Sequence, residues 1–393
     1  VLNGLKVEYR GPVFQVNAFA ARTSQGLAHD ELQGDGTSGL YRLSQRDVAI
    51  NGERVRIEVR DRYRSEIVLE TRTLSRHVDY DIDYAAGTLF FREPIPSRDF
   101  DFNPVFIVVD YETHGDGDAY LNGGGRVGVQ LMDGRLRAGL TYLKEEDSTG
   151  RSQLGGLDAS YRLSDATELR AEVASSDGES GGIERSGDAY VVELEHHGER
   201  LDLLAYVRRQ DPGFGLGQQN RSEGGMFKAG ADVQWRISDT FALQGQAWHQ
   251  ENLVSGATRD ALHVQGEYRR DDWGLRAGLQ WVQDQALDGR VAESRQLTLG
   301  ANRSFLDRRL ELTARADIGL GGHDDSVDFP TRLEIGASYA LTDTFRVLVA
   351  QEFTAGEARD ASTTRFGFEA RPWAGAQLTS TLNQSRISEY GPR

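Results

Sequence analysis

Four stretches of the chain hold residue types able to do chemistry, and the company each keeps decides what it is for. Gly178-Glu179-Ser180-Gly181-Gly182 has the spacing of a nucleophile elbow, a motif that needs an apolar strand before the serine and a helix after it. Here it lies in a polar run, so no turn is expected to raise Ser180 for attack. His196 and His197 could carry protons near neutral pH, as a barrel protease or lipase would require, but they stand beside polar turn residues, where an exposed pair is the simpler reading. Asp116 and Asp118, and the trio Asp324, Asp325 and Asp328, offer oxygen ligands for calcium without the fixed spacing of a dedicated loop. Whether a metal binds is left open. Gly123 to Gly128 has dinucleotide-loop spacing, yet a strand pattern follows where a helix is required. No cofactor and no catalytic set are expected, and the chain reads as a non-enzyme.

The more telling chemistry is charge placed at alternate positions. Phe227, Ala229, Ala231, Val233, Trp235 and Ile237 alternate with Lys228, Asp232, Gln234 and Arg236. Trp273, Leu275, Ala277, Leu279 and Trp281 alternate with Arg276, Gly278 and Gln280, and Leu310 to Ile318 alternate with Glu311, Thr313, Arg315 and Asp317. Period two is that of a strand with unlike faces. Each stretch runs about ten residues, enough for a tilted strand to cross a bilayer.

The elements that carry these faces repeat. From about residue 119 the unit is two strands joined by a short turn, followed by a longer polar connection. Short turns fall at Asp133-Gly134, Ser164-Asp165, Gly198-Glu199, Ser238-Asp239, Asp271-Asp272, Leu306-Asp307, Thr342-Asp343 and Trp373-Ala374, where Asp, Ser and Gly suit tight hairpins. Longer segments are expected at Ala174 to Ser186, Gln210 to Gly224 and Leu320 to Asp328. Short turns on one rim and long loops on the other mark an outer-membrane barrel with periplasmic short turns. The fold class is therefore all-β, an antiparallel up-and-down transmembrane β-barrel with about 16–18 strands visible. Its lumen face would carry Arg137, Lys228, Asp232, Arg236, Arg276, Glu311, Arg315, Glu334, Glu369 and Arg371, both signs together. Trp235, Trp273, Trp281, Tyr339 and Phe345 would face the membrane near the ends of the apolar band, where aromatic rings collect.

Composition narrows the alternatives. The 393 residues include no Cys, which removes disulfides and thiolate metal sites. No apolar run is long enough for a transmembrane helix. With 61 acidic against 45 basic residues, net charge -16, no basic surplus exists to neutralise phosphates, so nucleic acid is not an expected partner.

The first 118 residues are organised differently. Leu5 to Arg10 and Val13 to Arg22 flank Gly11-Pro12 as one more barrel hairpin within residues 1–25. Thr23 to about Ser38 is polar and Gly-rich. Strands are expected at Val48 to Ile50, Arg54 to Arg60, Glu66 to Thr71, His77 to Tyr84, Thr88 to Phe91 and Val105 to Tyr111, with turns at Asn51-Gly52 and Ala86-Gly87. Residues 26–118 thus form an inserted β-rich domain, and 119–393 a meander of about eight hairpins.

Within the insert, Leu74 to Tyr84 reads LSRHVDYDIDY, followed by GTLFF at 87–91, PIPS at 94–97 and NPVFIVVDYE at 103–112. This run resembles a recurring module of very large bacterial outer-membrane proteins, and similar modules occur in the giant translocon barrel of type 9 secretion. The resemblance covers residues 40 to 112. It implies a surface or envelope location in the bacterial outer membrane and no particular reaction.

Strand parity adds a further expectation. With the short turns periplasmic, the insert begins on the extracellular side, outside or in the barrel mouth, and both chain ends fall on the extracellular rim. That expectation, with a start at Val1 and an end at Gly391-Pro392-Arg393, suggests part of a larger barrel. The partners expected are the lipid bilayer, other envelope proteins and missing parts of the same barrel. A wide lumen with mixed charge suits a porin-like pore or secretion channel. The alternative is a barrel anchor that displays the insert for adhesion or envelope assembly.

Overall fold

The computed structural model describes residues 3–23, 25–35, 37–61, 67–96, 99, 103–114, 120–147, 150–180, 183–216, 224–324, 330–355, 359–373, 375–376 and 378–389. Twenty-five strands and no helix occupy these residues. The up-and-down antiparallel class read from the sequence is the class observed. β1 (Asn3–Arg10), β2 (Phe14–Thr23) and β10 to β25 form an 18-stranded sheet. The chain divides into two compact units. One comprises Val1–Leu163, Leu169–Val192 and Arg208–Met226, the other Ser164–Glu168, Glu193–Val207 and Phe227–Arg393.

In the first unit, β2 pairs with β1 on one side and with β10 (Tyr120–Leu131) on the other, and β11 (Leu136–Asp147) and β12 (Gly150–Ser164) follow in order. The β10–β11 turn is tight because Met132, Asp133 and Gly134 all take positive φ, which matches the twist of paired strands. Gly123 to Gly128 lies inside β10, paired along its length with β2, so it is sheet and not a phosphate loop.

The insert between β2 and β10 holds two small sheets in the orders β3-β9-β5-β6 and β4-β8-β7. Its strands are β3 (Gln25–Gln33), β4 (Tyr41–Arg42), β5 (Val48–Arg60), β6 (Val68–Thr73), β7 (Tyr80–Asp83), β8 (Thr88–Phe91) and β9 (Val105–His114). Period-two alternation turns Val55, Ile57, Val105, Ile107, Val109 and Tyr111 onto one face, where they meet Tyr41, Tyr80, Leu89 and Phe91 in a shared core. The Tyr41 ring meets the Phe91 ring edge-on at 5.5 Å.

Two expectations for the insert are corrected. Asn51-Gly52 does not separate two strands. It is a bulge inside β5, with Asn51 at φ 62° and the ladder to β9 jumping from Val48↔Thr113 to Glu53↔Tyr111. The polar, Gly-rich stretch from Thr23 to about Ser38, where no strand was expected, contains β3, which pairs with β9 over nine positions from Gln25↔His114 to Gln33↔Phe106. The Ala86-Gly87 turn is found as expected. Gly87 has φ +62°, and a Cβ there would stand 2.2 Å from the Gln45 carbonyl oxygen, so only glycine fits.

In the second unit, β17 (Phe241–Asn252) to β25 (Leu378–Glu389) pair strictly in sequence order. Two of the three expected long segments are largely strand, while 210–224 falls between β15 (Leu201–Gln210) and β16 (Met226–Arg236). β13 (Thr167–Ser180) and β14 (Ile183–His197) consume most of 174–186, and β21 (Leu310–Asp324) runs into 320–328. Paired backbone satisfies its own polar groups, and this outweighs the low strand propensity of Gly, Asp and Ser.

Candidate functional site

The site is built from the two faces of the meander. In β18 (Thr258–Arg270), β19 (Trp273–Gln285) and β20 (Val291–Phe305), register aligns Val264, Leu279 and Leu297, with Tyr268, Leu275 and Ala301 four residues along. These side chains share one face, and Leu279 is 58% exposed. On the opposite face Gln280 is 7% exposed, Gln296 3% and Ser294 1%. The chain thus exposes leucine and buries glutamine, the reverse of a water-soluble sheet.

Aromatic and charged groups bound the apolar face. Trp273 pairs across the ladder with Arg303, whose guanidinium lies 4.2 Å from the Trp273 ring and 4.5 Å from the Phe305 ring. At the other end the Trp281 indole N–H donates to Glu293 at 2.7 Å, and Arg295 donates to the same carboxylate. The two tryptophans are eight residues apart, about 26 Å along a strand and about 20 Å across a membrane at the usual tilt. Trp235 is also exposed, while Trp281, Tyr339 and Phe345 are half-buried.

Nine of the ten residues expected to line the lumen alternate, each within its own strand, with exposed apolar side chains; Arg371 lies beyond the end of its strand. Arg137, Arg236 and Arg276 are exposed, Lys228 is buried, and Asp232, Glu311, Arg315, Glu334 and Glu369 are half-buried. Arg371 follows β24 (Arg359–Ala370) and donates to Glu369. Arg315 lies 3.2 Å from Asp317, and Arg236 3.3 Å from Asp202. Glu334 joins a quartet that the sequence reading missed. Arg332 contacts Glu334 at 3.3 Å and Glu352 at 3.1 Å, and Arg365 contacts Glu334 at 3.2 Å and Glu352 at 2.6 Å. Each cation lies between two carboxylates, the arrangement that offsets the desolvation of buried charge. Arg332 could have been found, since alternation places it beside Glu334. Arg365 and Glu352 require the register of β22 (Thr331–Thr342), β23 (Phe345–Ala355) and β24.

The insert carries a second cluster, on the face of its four-stranded sheet away from the core. His29 Nδ1 lies 2.7 Å from Asp110, Arg56 donates to Asp110 at 2.8 Å, and Arg60 donates to Glu31 at 2.6 Å and to Glu58 at 2.7 Å. Among the described residues Glu31, Glu58 and Asp110 meet two arginines, and His29 adds a third positive charge to the group when protonated. The Glu31 carboxylate, and Asp110 after it, raise the His29 pKa against the opposing effect of burial. Burial pushes Glu31 up, but His29 and Arg60 outweigh it and hold the carboxyl below its usual range. On the core side, the Tyr111 hydroxyl donates to Asp30 at 2.7 Å and accepts from the Gln45 N–H at 3.0 Å.

The chemical motifs do not assemble. The Ser180 side chain lies outside the described residues, and its backbone ends β13 in place of a strand-to-helix turn. His196 meets the Thr167 hydroxyl at 2.7 Å, and His197 meets Glu195 at 2.7 Å. Asp116, Asp118, Asp325 and Asp328, and the Asp324 side chain, lie outside the described residues. Among the described residues no group of three His, Asp or Glu is placed to hold a metal ion.

No family model and no curated protein matches the chain. Among solved structures, the FrpB iron transporter from Neisseria meningitidis (F3-3 variant) is similar at 12% identity and TM-score 0.42, over 69% of this chain and 60% of that one. The chain therefore spans less than two thirds of that transporter's length. The translocation pore of the P pilus usher PapC is similar at 11% identity and TM-score 0.49, over 97% of this chain and 91% of that one. The copper transporter OprC is similar at 10% identity and TM-score 0.35, over 97% of this chain and 72% of that one.

Proposed function

We propose that this chain is an outer-membrane β-barrel whose lumen serves as a channel for solute transport or secretion. The observation that carries the reading is the inversion of the two sheet faces, leucine exposed and glutamine, serine and paired charge buried. An exposed apolar face of this extent needs lipid to cover it. The opposite face, with both charge signs, suits a hydrated passage without strong ion preference. Arg137, Lys228, Asp232, Arg236, Arg276, Glu311, Arg315, Glu334, Glu369 and Arg371 are its proposed lining. Trp235, Trp273, Trp281, Tyr339 and Phe345 are its proposed membrane contacts. The likeness of residues 40–112 to a translocon module is the reason secretion stands beside solute transport.

A second reading, a barrel that anchors the insert for adhesion or envelope assembly, is favoured by the insert's own core, with Val55, Ile107, Val109 and Tyr111 fully buried. In either reading residues 26–118 lie outside the membrane or in the barrel mouth, because a lipid-exposed insert would leave backbone groups unsatisfied. Planar bilayers separate the two. A conductance in the full chain, or one that opens when 26–118 is replaced by a short linker, is the expected result for a channel. Silence in both forms, from protein whose barrel has folded, contradicts the channel and leaves the anchor.

A further inference from the structure

The connection from β15 (Leu201–Gln210) to β16 (Met226–Arg236) begins with six residues fastened to the sheet. The Asp211 N–H donates to the Asp188 carbonyl at 2.9 Å, and the Asp188 N–H donates back to the Asp211 carboxylate at 3.2 Å. The Phe214 N–H closes a turn onto the Asp211 carbonyl at 3.0 Å, and the Gly215 N–H donates to the buried Ser176 hydroxyl at 2.8 Å. A Cβ on Gly213 would stand 2.3 Å from the Ser186 carbonyl oxygen, and one on Gly187 2.5 Å from the Phe214 nitrogen. Glycine at both positions lets the segment lie flat against β14.

Alternation fixes which face it covers. Ser176 is three residues from Val173, and Gly187 three from Tyr190, and both Val173 and Tyr190 belong to the exposed apolar face. The segment therefore lies on the polar side. There Phe214 helps enclose a cavity of about 260 Å³ with Leu154, Ala174, Val191, Glu172 and Arg208.

We propose that Asp211 to Leu216 is a fixed shelf on the lumen wall, with Phe214 at its edge, and that it limits the passage by size and not by charge. The inference rests on the channel reading. Its charges cancel: Arg209 donates to Asp211 at 3.0 Å, and Glu172 and Arg208 bring opposite signs to the same cavity. A neutral shelf leaves the ion preference of a pore unchanged while its bulk sets the largest solute that enters.

The test is single-channel recording of the full chain in planar bilayers, with graded polyethylene glycols as size probes. Phe214→Ala should raise the conductance and admit larger polymers, Phe214→Trp should lower both, and the cation-to-anion permeability ratio should stay the same. Val173→Ala, on the exposed face, should match the unaltered chain. If the unaltered chain conducts and neither Phe214 variant changes conductance or size cut-off, the shelf is overturned and the channel reading stands. If Phe214→Ala alters the permeability ratio and not the cut-off, size limitation is overturned. If the full chain is silent, the same variants are recorded with 26–118 replaced by a short linker, and silence there too overturns the channel reading and the shelf with it.

Discussion

In the insert, β9 holds Val105, Ile107, Val109 and Tyr111 at no more than 3% exposure, whereas β19 in the meander leaves Trp273, Leu275 and Leu279 between 43% and 58% exposed. Both strands alternate, and both put apolar side chains on one face. The insert covers that face with a second sheet of its own, so its hydrophobic stabilisation comes from within the chain. Among the described residues no such layer covers the apolar face of β18 to β20, and in the proposed reading a surrounding apolar phase takes its place. The same periodicity thus yields a water-compatible fold in one region and a membrane surface in the other.

The largest effect should come from the insert's core. Phe91→Ala removes a fully buried ring packed against Tyr41 and Tyr80, a loss of about 3–5 kcal/mol. Hydrogen exchange should then rise across β4, β5, β8 and β9 while the meander amides keep their protection. Spread of the loss into β18 to β20 would break the comparison.

Next in size is a charge on the outer face. Leu279→Arg should destabilise the folded protein by about 2–4 kcal/mol if that position lies near mid-membrane, read by denaturant titration in lipid vesicles. Arg276→Gln, three positions away on the opposite face, should cost far less. Gln280 would be a poor control, since it is buried and any larger side chain there strains its neighbours.

Smaller again is the Tyr111 hydroxyl. Tyr111→Phe leaves the buried Asp30 carboxylate with one donor fewer, a cost of about 1–3 kcal/mol. Thermal melting of the insert should report it, with no change in the meander transition.

The smallest effect is on pH. The His29 pKa is raised above its ordinary value of about 6.5, so its contribution is complete below that value and fades as pH rises through the raised one. The Glu31 pKa is lowered, so its contribution is present above about 4.3 and fades as pH falls through the depressed value. The insert should be most stable near pH 5–6, and His29→Gln should abolish the alkaline loss and also shrink the acid one, because His29 is one of the two groups that hold the Glu31 pKa down. An unchanged alkaline limb in His29→Gln would remove His29 from the account.

Much of this was legible in the sequence, for a physical reason. A strand with unlike faces writes its period directly into the residues, so the antiparallel meander could be read from alternation, whereas the lumen lining stays a proposal. β3 escaped because its inward residues, Ala28, Asp30 and Leu32, include a carboxylate made tolerable inside by donors distant in sequence, the Tyr111 hydroxyl and the Ser44 N–H. The β5 bulge escaped because Asn-Gly suits a hairpin turn and a bulge equally. The Arg332, Glu334, Glu352 and Arg365 quartet needed the register of three strands, which no single segment contains.

The central claim is that the exposed apolar face of the meander lies in lipid, and site-directed spin labelling tests it most directly. Labels at Leu279 and Arg276 in reconstituted vesicles would be relaxed in turn by oxygen, which concentrates in the bilayer, and by a water-soluble nickel chelate. The account predicts that oxygen reaches Leu279 strongly and the chelate does not, with the chelate favoured at Arg276. Equal access of the chelate to both positions would contradict it.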